Sequence, residues 1–172
     1  KPPPPRSGFI TRKELESLCR HLPDYLSPFV RFAFLTGWRL SEIRGLQWRH
    51  VSFESGEIRL EPGSTKNGEG RVFPMTVELR ALLKNLRDTH ASINLTPTDQ
   101  PVVVMDSDRM WAKLTPSVFL NGGEPVVYIY HAWRKAVKAI GKPGLLFHDL
   151  RRSAIIDMDQ RGIPRRVIQD LV

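Results

Sequence analysis

The chain has 172 residues, of which 41% are hydrophobic and 26% charged, enough apolar material for a core without disulfides or metals. Its 26 lysines and arginines against 18 aspartates and glutamates give a formal net charge of +8 at pH 7. A basic surface favours a polyanionic partner, although charge alone does not identify one. The single cysteine excludes an intrachain disulfide, and no apolar run approaches the ~20 residues that cross a bilayer. A reducing, cytoplasmic setting is therefore expected.

The N-terminal segment is rich in proline. Pro2–Pro5 predict an extended, polyproline-like lead-in rather than a core element. The chain also begins with Lys1 and not with methionine, which suggests a piece of a longer protein. We therefore interpret residues 1–8 as a linker from an upstream domain and residues 9–172 as one domain.

The first part of that domain is predicted to be helical. Thr11-Arg12-Lys13-Glu14 forms a capping box, and apolar residues follow it at helical spacing. A second helix begins near Ser27 and is apolar on nearly all sides, which is typical of a central core helix. Thr36-Gly37 ends this helix, and Ser41 can cap a short third helix that reaches about Leu46.

A β region follows these helices. Val51–Phe53 and Glu57–Leu60 flank a turn and have the alternation of half-buried strands. A loop rich in glycine, serine and asparagine, Pro62–Gly70, separates them from Arg71–Met75. The pattern predicts a hairpin with a long tip that presents Lys66.

The remaining elements are predicted from shorter signals. They are helices over about 76–90, 127–140 and 150–161, a helix that starts at Pro164, strand candidates over 102–105 and 118–120, and a turn at 121–123. Asp149 can cap the helix over 150–161, with Gly162 past its end. These elements predict an α+β fold, mainly α-helical with a small antiparallel β-sheet.

Arg39 is the first candidate for a functional side chain. It lies in the break between an apolar helix and a capped one, where a guanidinium is held rigidly but stays open to a ligand. Glu42 is three residues further along and can orient it if the third helix starts at Ser41. Taken by themselves, these two residues fit a structural Arg–Glu ion pair better than a ligand site.

His148 and Arg151 form the second candidate cluster. With Asp149 as the cap, His148 precedes a helix and Arg151 lies in its first turn, so both can point at one ligand. Unpaired backbone N–H groups and the helix dipole make this end attractive to a phosphate. The alternative is a packed histidine followed by a solvated basic face.

Lys66 is the third candidate. Its glycine, serine and asparagine neighbours suit a lysine that must approach a ligand, and an ammonium can donate a proton to a departing oxygen. Most lysines in loops have no such role, so the loop alone does not assign one.

The order of these motifs is more specific than any one of them. The segments are Thr36–Ile43, Leu46–Trp48, Val51–Phe53, Thr65–Gly68 and Arg71–Pro74, then Phe147–Ala154, Gly162–Pro164 and Val167–Leu171. In this order they resemble the catalytic domain of the tyrosine recombinases, the phage-integrase family. The resemblance covers most of the chain from about Gly8 and is weakest over 91–124.

The resemblance implies a role for each candidate. Arg39 and Arg151 match the two arginines that clamp the non-bridging oxygens of the scissile phosphate. Lys66 matches the lysine that protonates the leaving 5′-oxygen, and His148 matches the histidine that assists proton transfer at the nucleophile. Glu42 matches an acidic residue that supports the active-site groups. These roles require Arg39 and Arg151 to converge on one pocket.

The resemblance also implies a reaction and a set of partners. The family transesterifies DNA through a 3′-phosphotyrosyl intermediate, which conserves bond energy, so neither a nucleotide cofactor nor a metal is expected. The expected partner is double-stranded DNA, with self-association on DNA in a full-length parent and no membrane. Recombination and integration of a mobile element are typical activities of the family.

Two parts of the family pattern have no match. After a segment like Val167–Val172, the family continues with a Gly-His pair, which includes its second histidine (or a tryptophan in that place), and then the nucleophilic tyrosine. Here Tyr25, Tyr128 and Tyr130 all precede His148, and none occupies the matching position. We therefore assign no nucleophile and expect the chain to be inactive in DNA cleavage. The upstream core-binding domain also has no counterpart.

Two other functions are compatible with the sequence. The first is a non-catalytic DNA-binding module on the same fold. The second is an interaction domain with incidental charge, for which neither duplex affinity nor a basic surface around Arg39, Lys66 and Arg151 is expected.

Overall fold

The computed structural model describes residues 8–61, 70–92, 103–106, 109–112 and 117–172, with side chains described for 8–61, 70–90 and 117–172. The helices are α1 (Arg12–Arg20), α2 (Ser27–Thr36), α3 (Leu40–Arg44), α4 (Val77–Ser92), α5 (Tyr130–Ala139), α6 (Asp149–Gln160) and α7 (Arg165–Leu171). The strands are β1 (Val51–Ser52), β2 (Glu57–Leu60), β3 (Arg71–Pro74), β4 (Val103–Asp106), β5 (Arg109–Ala112), β6 (Leu120–Asn121) and β7 (Glu124–Pro125). This composition confirms the predicted mainly helical α+β class.

The chain forms two compact units. The helical unit consists of Lys1–Leu40, Ile129–Asp170 and Val172, and the sheet unit of Ser41–Tyr128 with Leu171. Helices α1, α2, α5 and α6 belong to the helical unit, where α2 packs against both α1 and α6. The small β-sheets and α4 belong to the sheet unit.

The start of α1 confirms the predicted capping box. The hydroxyl of Thr11 accepts a hydrogen bond from the Glu14 amide at 3.3 Å, and Glu14 Oε2 accepts one from the Thr11 amide at 2.8 Å. These bonds satisfy two amides that have no partner inside the helix. Further along, Cys19 is buried, and burial raises the pKa of its thiol.

Helix α2 supplies the centre of the helical unit. It begins at Ser27, as predicted, and three of its phenylalanines are fully buried: Phe29, Phe32 and Phe34. Gly37 ends it in the left-handed region, with φ +67°. A helix buried on so many sides holds the turn at its C-terminus in place, because neither the helix nor its end can shift without opening the core.

The largest sheet confirms the predicted hairpin and its strands. Strand β2 pairs antiparallel with β1 and with β3, and Leu60, the last residue of β2, pairs with Arg71, the first residue of β3. At the other end, the Met75 amide donates to the Gly56 carbonyl at 2.7 Å. The short helix before the sheet, α3, begins at Leu40, so Ser41 lies inside it and is not the predicted cap. It ends at Arg44, two residues before the predicted limit.

The described residues hold three antiparallel sheets where one was predicted. Two-stranded sheets β4–β5 and β6–β7 accompany the three-stranded one. The predicted turn at Asn121–Gly123 is confirmed, with Gly122 and Gly123 both at positive φ. The strands beside this turn are only two residues long: β6 begins at Leu120, the last residue of the predicted strand over 118–120, and β7 was not predicted.

The C-terminal helices follow the prediction with one difference. Asp149 is the first residue of α6 and not its cap, and His148 before it has helical dihedral angles. The Asp149 carboxylate instead accepts a hydrogen bond from the Leu146 amide at 2.8 Å, which closes the turn that leads into the helix. Gly162 lies past the end of α6 at φ +79°, and Pro164 precedes α7, as predicted.

Across the described ranges, none of the helices combines the length and the hydropathy that a membrane crossing requires.

Candidate functional site

Arg39 follows a turn whose backbone is fixed from several directions. The Thr36 hydroxyl donates to the Phe32 carbonyl at 2.8 Å and accepts from the Trp38 amide at 3.3 Å. The Trp38 ring is buried and packs edge-on against Phe32, with centroids 5.5 Å apart. The side chain of Arg39 is only half-buried. The turn therefore holds the Arg39 backbone in place.

Gly37 is required at this turn for two reasons. Its left-handed conformation is costly for any residue with a side chain. A Cβ atom there would also lie 3.0 Å from Val172 Cγ1 and 3.2 Å from Ala154 Cβ. The close approach of Ala154 brings α6 directly onto the turn that carries Arg39.

Arg151 reaches the same turn from α6. Its Nη1 donates to the Gly37 carbonyl at 3.0 Å, and its Nη2 donates to a main-chain oxygen of Val172, the last residue of the chain, at 2.6 Å. Gly37 is two residues from Arg39, which corresponds to at most about 7 Å of chain. The structure thus places the Arg151 guanidinium at the turn of Arg39, within the helical unit.

His148 lies beside Arg151 at the start of α6. It is exposed, and its carbonyl accepts a hydrogen bond from the Arg151 amide at 3.1 Å, which places Arg151 in the first turn. The positive end of the helix dipole adds to the guanidinium charge here. The chemistry that this arrangement offers is attraction of an anion, with an imidazole close by.

Contacts that the sequence did not reveal fix the start of α6. The Ser153 hydroxyl donates to the Asp149 carbonyl at 3.0 Å and accepts from the Ile10 amide at 2.9 Å. A Cβ on Gly8 would lie 2.7 Å from an Asp149 carboxylate oxygen, so the segment before α1 packs closely on this helix. Small and short polar residues carry no periodic signal, which is why sequence patterns missed them.

Aromatic residues near His148 also hold the start of α6 in place. Phe147 packs against Trp133 and Phe29, with centroids 5.3 and 5.7 Å apart, and the Trp133 indole donates to the Leu145 carbonyl at 3.0 Å. Since Phe147 is anchored on two sides, His148 starts from a fixed backbone position.

Glu42 lies in the sheet unit and has a partner that the sequence did not indicate. Its carboxylate, predicted to orient Arg39, accepts a hydrogen bond from Arg71 Nη2 at 2.9 Å. Both side chains are largely buried. Arg71 belongs to the motif Arg71–Pro74, but nothing in that motif says where its side chain points.

Lys66 lies outside the residues that the structure describes. Its place in the chain is between β2 and β3, which the structure describes up to Glu61 and again from Gly70.

Arg151 also borders a groove between α6 and α7. The groove has a volume of about 450 Å³, and its lining is half apolar and half polar or charged: Ile155, Ile156, Ile168 and Val172, with Arg151, Asp159, Arg165 and Gln169. In the part of the chain that is described, no three His, Cys, Asp or Glu side chains lie close enough together to hold a metal ion.

Comparison with solved structures relates this fold to known recombinases. The crystal structure of XerA recombinase superposes with a TM-score of 0.70 at 19% identity, over 100% of this chain and 56% of that one. The structure of a lambda integrase dimer bound to a COC′ core site gives a TM-score of 0.65 at 15% identity, over 96% and 56%. The fold is therefore that of a tyrosine recombinase catalytic domain.

Sequence comparison gives relatives of the same kind. The tyrosine recombinase XerA of Pyrococcus furiosus is 28% identical over 171 residues, which span 95% of this chain and 52% of that protein. The integrase of Salmonella phage P22 is 24% identical over 176 residues, spanning 96% of this chain and 40% of that protein. The chain thus covers about half or less of the length of these relatives. The family model of the phage integrase family matches residues 8–172, and the chain belongs to that family.

Proposed function

We propose that residues 9–172 are the catalytic domain of a site-specific DNA recombinase or integrase. The proposed reaction cleaves and rejoins DNA strands through a 3′-phosphotyrosyl intermediate, with residues 1–8 as the linker that leads into the domain. This proposal is supported by the hydrogen bond from Arg151 to the carbonyl of Gly37, a residue that lies two positions before Arg39. Two guanidinium groups supplied from one place are suited to the two non-bridging oxygens of a phosphodiester.

Arg39 and Arg151 are assigned to the phosphate. In the transition state the phosphoryl oxygens gain negative charge, and pre-oriented guanidinium groups stabilise that charge without reorganisation. The hydrogen bond from Arg151 Nη1 to the Gly37 carbonyl orients the guanidinium at the turn that leads to Arg39.

His148 and Lys66 are assigned to the proton transfers. A tyrosine hydroxyl attacks phosphorus and passes its proton to His148, while the bond from phosphorus to the 5′-oxygen breaks and that oxygen receives a proton from Lys66. Bonds and charges balance, since one phosphodiester replaces another. None of Tyr25, Tyr128 and Tyr130 is assigned as the nucleophile.

The partner in this proposal is double-stranded DNA, on which family members self-associate. Glu42 is assigned a supporting role, which its buried position in the short helix after Arg39 favours. The enzyme class is a tyrosine-type recombinase.

Duplex binding by the 172-residue chain tests the phosphate assignments. Each phosphate that a cation neutralises steepens the log–log salt dependence of binding by roughly 0.9. We expect Arg39→Gln or Arg151→Gln to weaken binding roughly 10- to 100-fold and to flatten the slope by about one phosphate. Fluorescence anisotropy across a salt series measures both quantities.

Matched controls separate the site from general charge. Arg44→Gln and Arg152→Gln remove the same charge from exposed neighbours of the two site arginines. These variants should bind duplex DNA much more tightly than the site variants do. Equal losses in all four variants, or binding that does not respond to salt, would contradict the proposal.

A second candidate function is a DNA-binding module on the same fold without catalysis. The two functions differ on a nicked suicide substrate, which traps a covalent protein–DNA adduct. We expect the 172-residue chain to form no adduct. A form in which a tyrosine-bearing segment follows Val172 should form it, and should lose it on Arg39→Ala or Arg151→Ala. Absence of the adduct in that form supports the module.

A further inference from the structure

Two arginines of α4 lie over a single aromatic ring in the sheet unit. The guanidinium carbons of Arg80 and Arg87 are 5.8 and 5.6 Å from the centroid of the Phe53 ring. Phe53 directly follows β1 and is half-buried, whereas both arginines are exposed. The attraction between ring and cation limits the directions that each guanidinium can take, and it leaves the positive charge in place.

Three other arginines of the sheet unit have partners of a different kind. They pair with carboxylates: Arg49 with Glu61, Arg59 with Glu57 and Arg71 with Glu42. Within the described ranges, no carboxylate forms an ion pair with Arg80 or Arg87. Because an aromatic ring orients a cation without neutralising it, these two charges stay available to an anion from outside the chain.

The position of α4 is fixed by contacts along its buried side and at its start. Leu79 and Leu83 are fully buried. The Thr76 hydroxyl accepts a hydrogen bond from the Leu79 amide at 3.2 Å, and the Met75 amide donates to the Gly56 carbonyl at 2.7 Å. The second bond ties the start of the helix to the turn between β1 and β2. The helix therefore presents its exposed side in one orientation relative to that turn.

A third cation on α4 extends the two arginines into a stripe. Lys84 is exposed and lies between Arg80 and Arg87 in the sequence. At 3.6 residues per turn, the three side chains leave the helix within about 60° of one another. Seven residues of helix rise about 10 Å, and over that axial length one strand of duplex DNA presents about three phosphates. The stripe therefore suits a run of phosphates better than one small anion.

We propose that the basic stripe, defined as Arg80, Lys84 and Arg87, binds the sugar–phosphate backbone of duplex DNA, with Phe53 as the residue that orients its arginines. This inference rests on the proposed function, in which duplex DNA is the partner. It assigns phosphate contacts to the sheet unit in addition to those proposed for Arg39 and Arg151. Contacts to phosphates carry no sequence information directly, so the stripe adds affinity and not specificity.

Duplex binding by the 172-residue chain tests the basic stripe. The main variant is Arg80→Gln/Arg87→Gln, measured by fluorescence anisotropy on a labelled duplex across a salt series. We expect it to bind roughly 10- to 100-fold more weakly at about 0.1 M salt. Its log–log salt dependence should be flatter by about 1.8, since each of two lost phosphate contacts contributes roughly 0.9.

A matched control removes the same charge from another helix. Lys13 and Arg20 of α1 are also exposed and also seven residues apart. Lys13→Gln/Arg20→Gln should bind the duplex within about threefold of wild type, because general charge acts more weakly than a phosphate contact. Arg80→Lys/Arg87→Lys keeps both charges and should retain the wild-type salt dependence, which separates lost charge from a damaged fold.

Phe53→Leu tests the role of the ring. This variant keeps every charge of the stripe, so its salt dependence should equal that of wild type. Its affinity for the duplex should fall about two- to fivefold, because the guanidinium groups lose the ring that orients them. An affinity equal to that of wild type would show that the ring does not orient the arginines for binding.

The basic stripe and the proposed function fail in different ways. If Arg39→Gln and Arg151→Gln weaken duplex binding but Arg80→Gln/Arg87→Gln behaves like the α1 control, only the stripe is wrong. If the main variant loses affinity for poly-glutamate and not for the duplex, the stripe belongs to an acidic protein partner and the inference is overturned. If the folded wild-type chain binds no duplex at any salt concentration, the proposed partner fails, and the stripe fails with it.

Discussion

Arg151 in the helical unit and Arg71 in the sheet unit are both held by side-chain hydrogen bonds, but to acceptors of different kinds. Arg151 donates to main-chain oxygens of Gly37 and Val172, and Arg71 donates to the side-chain carboxylate of Glu42. A carbonyl orients a guanidinium and leaves its charge available to an anion, whereas a buried carboxylate neutralises it. The acceptor therefore distinguishes an arginine suited to a ligand from an arginine suited to holding the structure together.

The largest effect expected from this comparison is on stability. Arg71→Met leaves the buried Glu42 carboxylate without its guanidinium, so the free energy of unfolding should fall by about 3–5 kcal/mol. Urea denaturation measures this loss. The control is Arg59→Met, whose ion pair is exposed and should contribute about 0–1 kcal/mol. Equal losses in the two variants would show that burial does not distinguish the pairs.

A smaller effect is expected at the turn that anchors Arg151. Gly37→Ala should cost about 2 kcal/mol, from the left-handed backbone together with the contacts of the new Cβ with Ala154 and Val172. Gly141→Ala is the matched control, since it has φ +74° but nothing within 4 Å. The stability lost by Gly141→Ala should reflect the left-handed backbone conformation alone. If both variants lose the same stability, the contacts between α6 and the Gly37 turn leave room for a Cβ atom.

The sheet unit should also respond to pH through a buried histidine. His90 packs edge-on against Trp48, and burial lowers its pKa below the ordinary value of about 6.5. The unfolded chain therefore binds more protons below pH 6.5, so stability is full above that pH and declines as the pH falls. The decline is at most about 1.4 kcal/mol per pH unit for one group.

His90→Phe keeps an aromatic ring against Trp48 and removes the titration. Urea denaturation between pH 5 and 8 should show a shallower slope in this variant. A residual slope is expected from His50, whose pKa is also lowered, by burial and then by Arg49. An unchanged slope would show that His90 does not titrate on unfolding.

The smallest effect is expected at the capping box of α1. Thr11→Ala removes the acceptor for the Glu14 amide and should lower the free energy of unfolding by about 1 kcal/mol. Thr11→Ser keeps the hydroxyl and should cost little. Thermal denaturation of the two variants measures their stability. An equal loss of stability in both would assign the effect to the threonine methyl group.

Local patterns predicted the elements that have local causes. The capping box of α1, the left-handed end of α2 at Gly37 and the glycine turn between β6 and β7 depend on residues within a few positions of one another. Their hydrogen bonds and dihedral angles are determined by residues that are neighbours in the sequence. The roles proposed for Arg39, Lys66, His148, Arg151 and Glu42 came from the family resemblance of the motifs, and they stay predictions.

The sequence by itself determined the helices, the three-stranded sheet and the motifs that place the chain in the phage integrase family. Only the tertiary structure decided that Arg151 meets Gly37 across 114 residues, and that Arg71 meets Glu42 across 29. Such pairs depend on which helix faces and strand ends come together, and periodicity fixes a face without naming its partner. Whether an arginine ends beside a neutral carbonyl or a buried carboxylate is therefore decided by packing, and that choice sets what its charge can do.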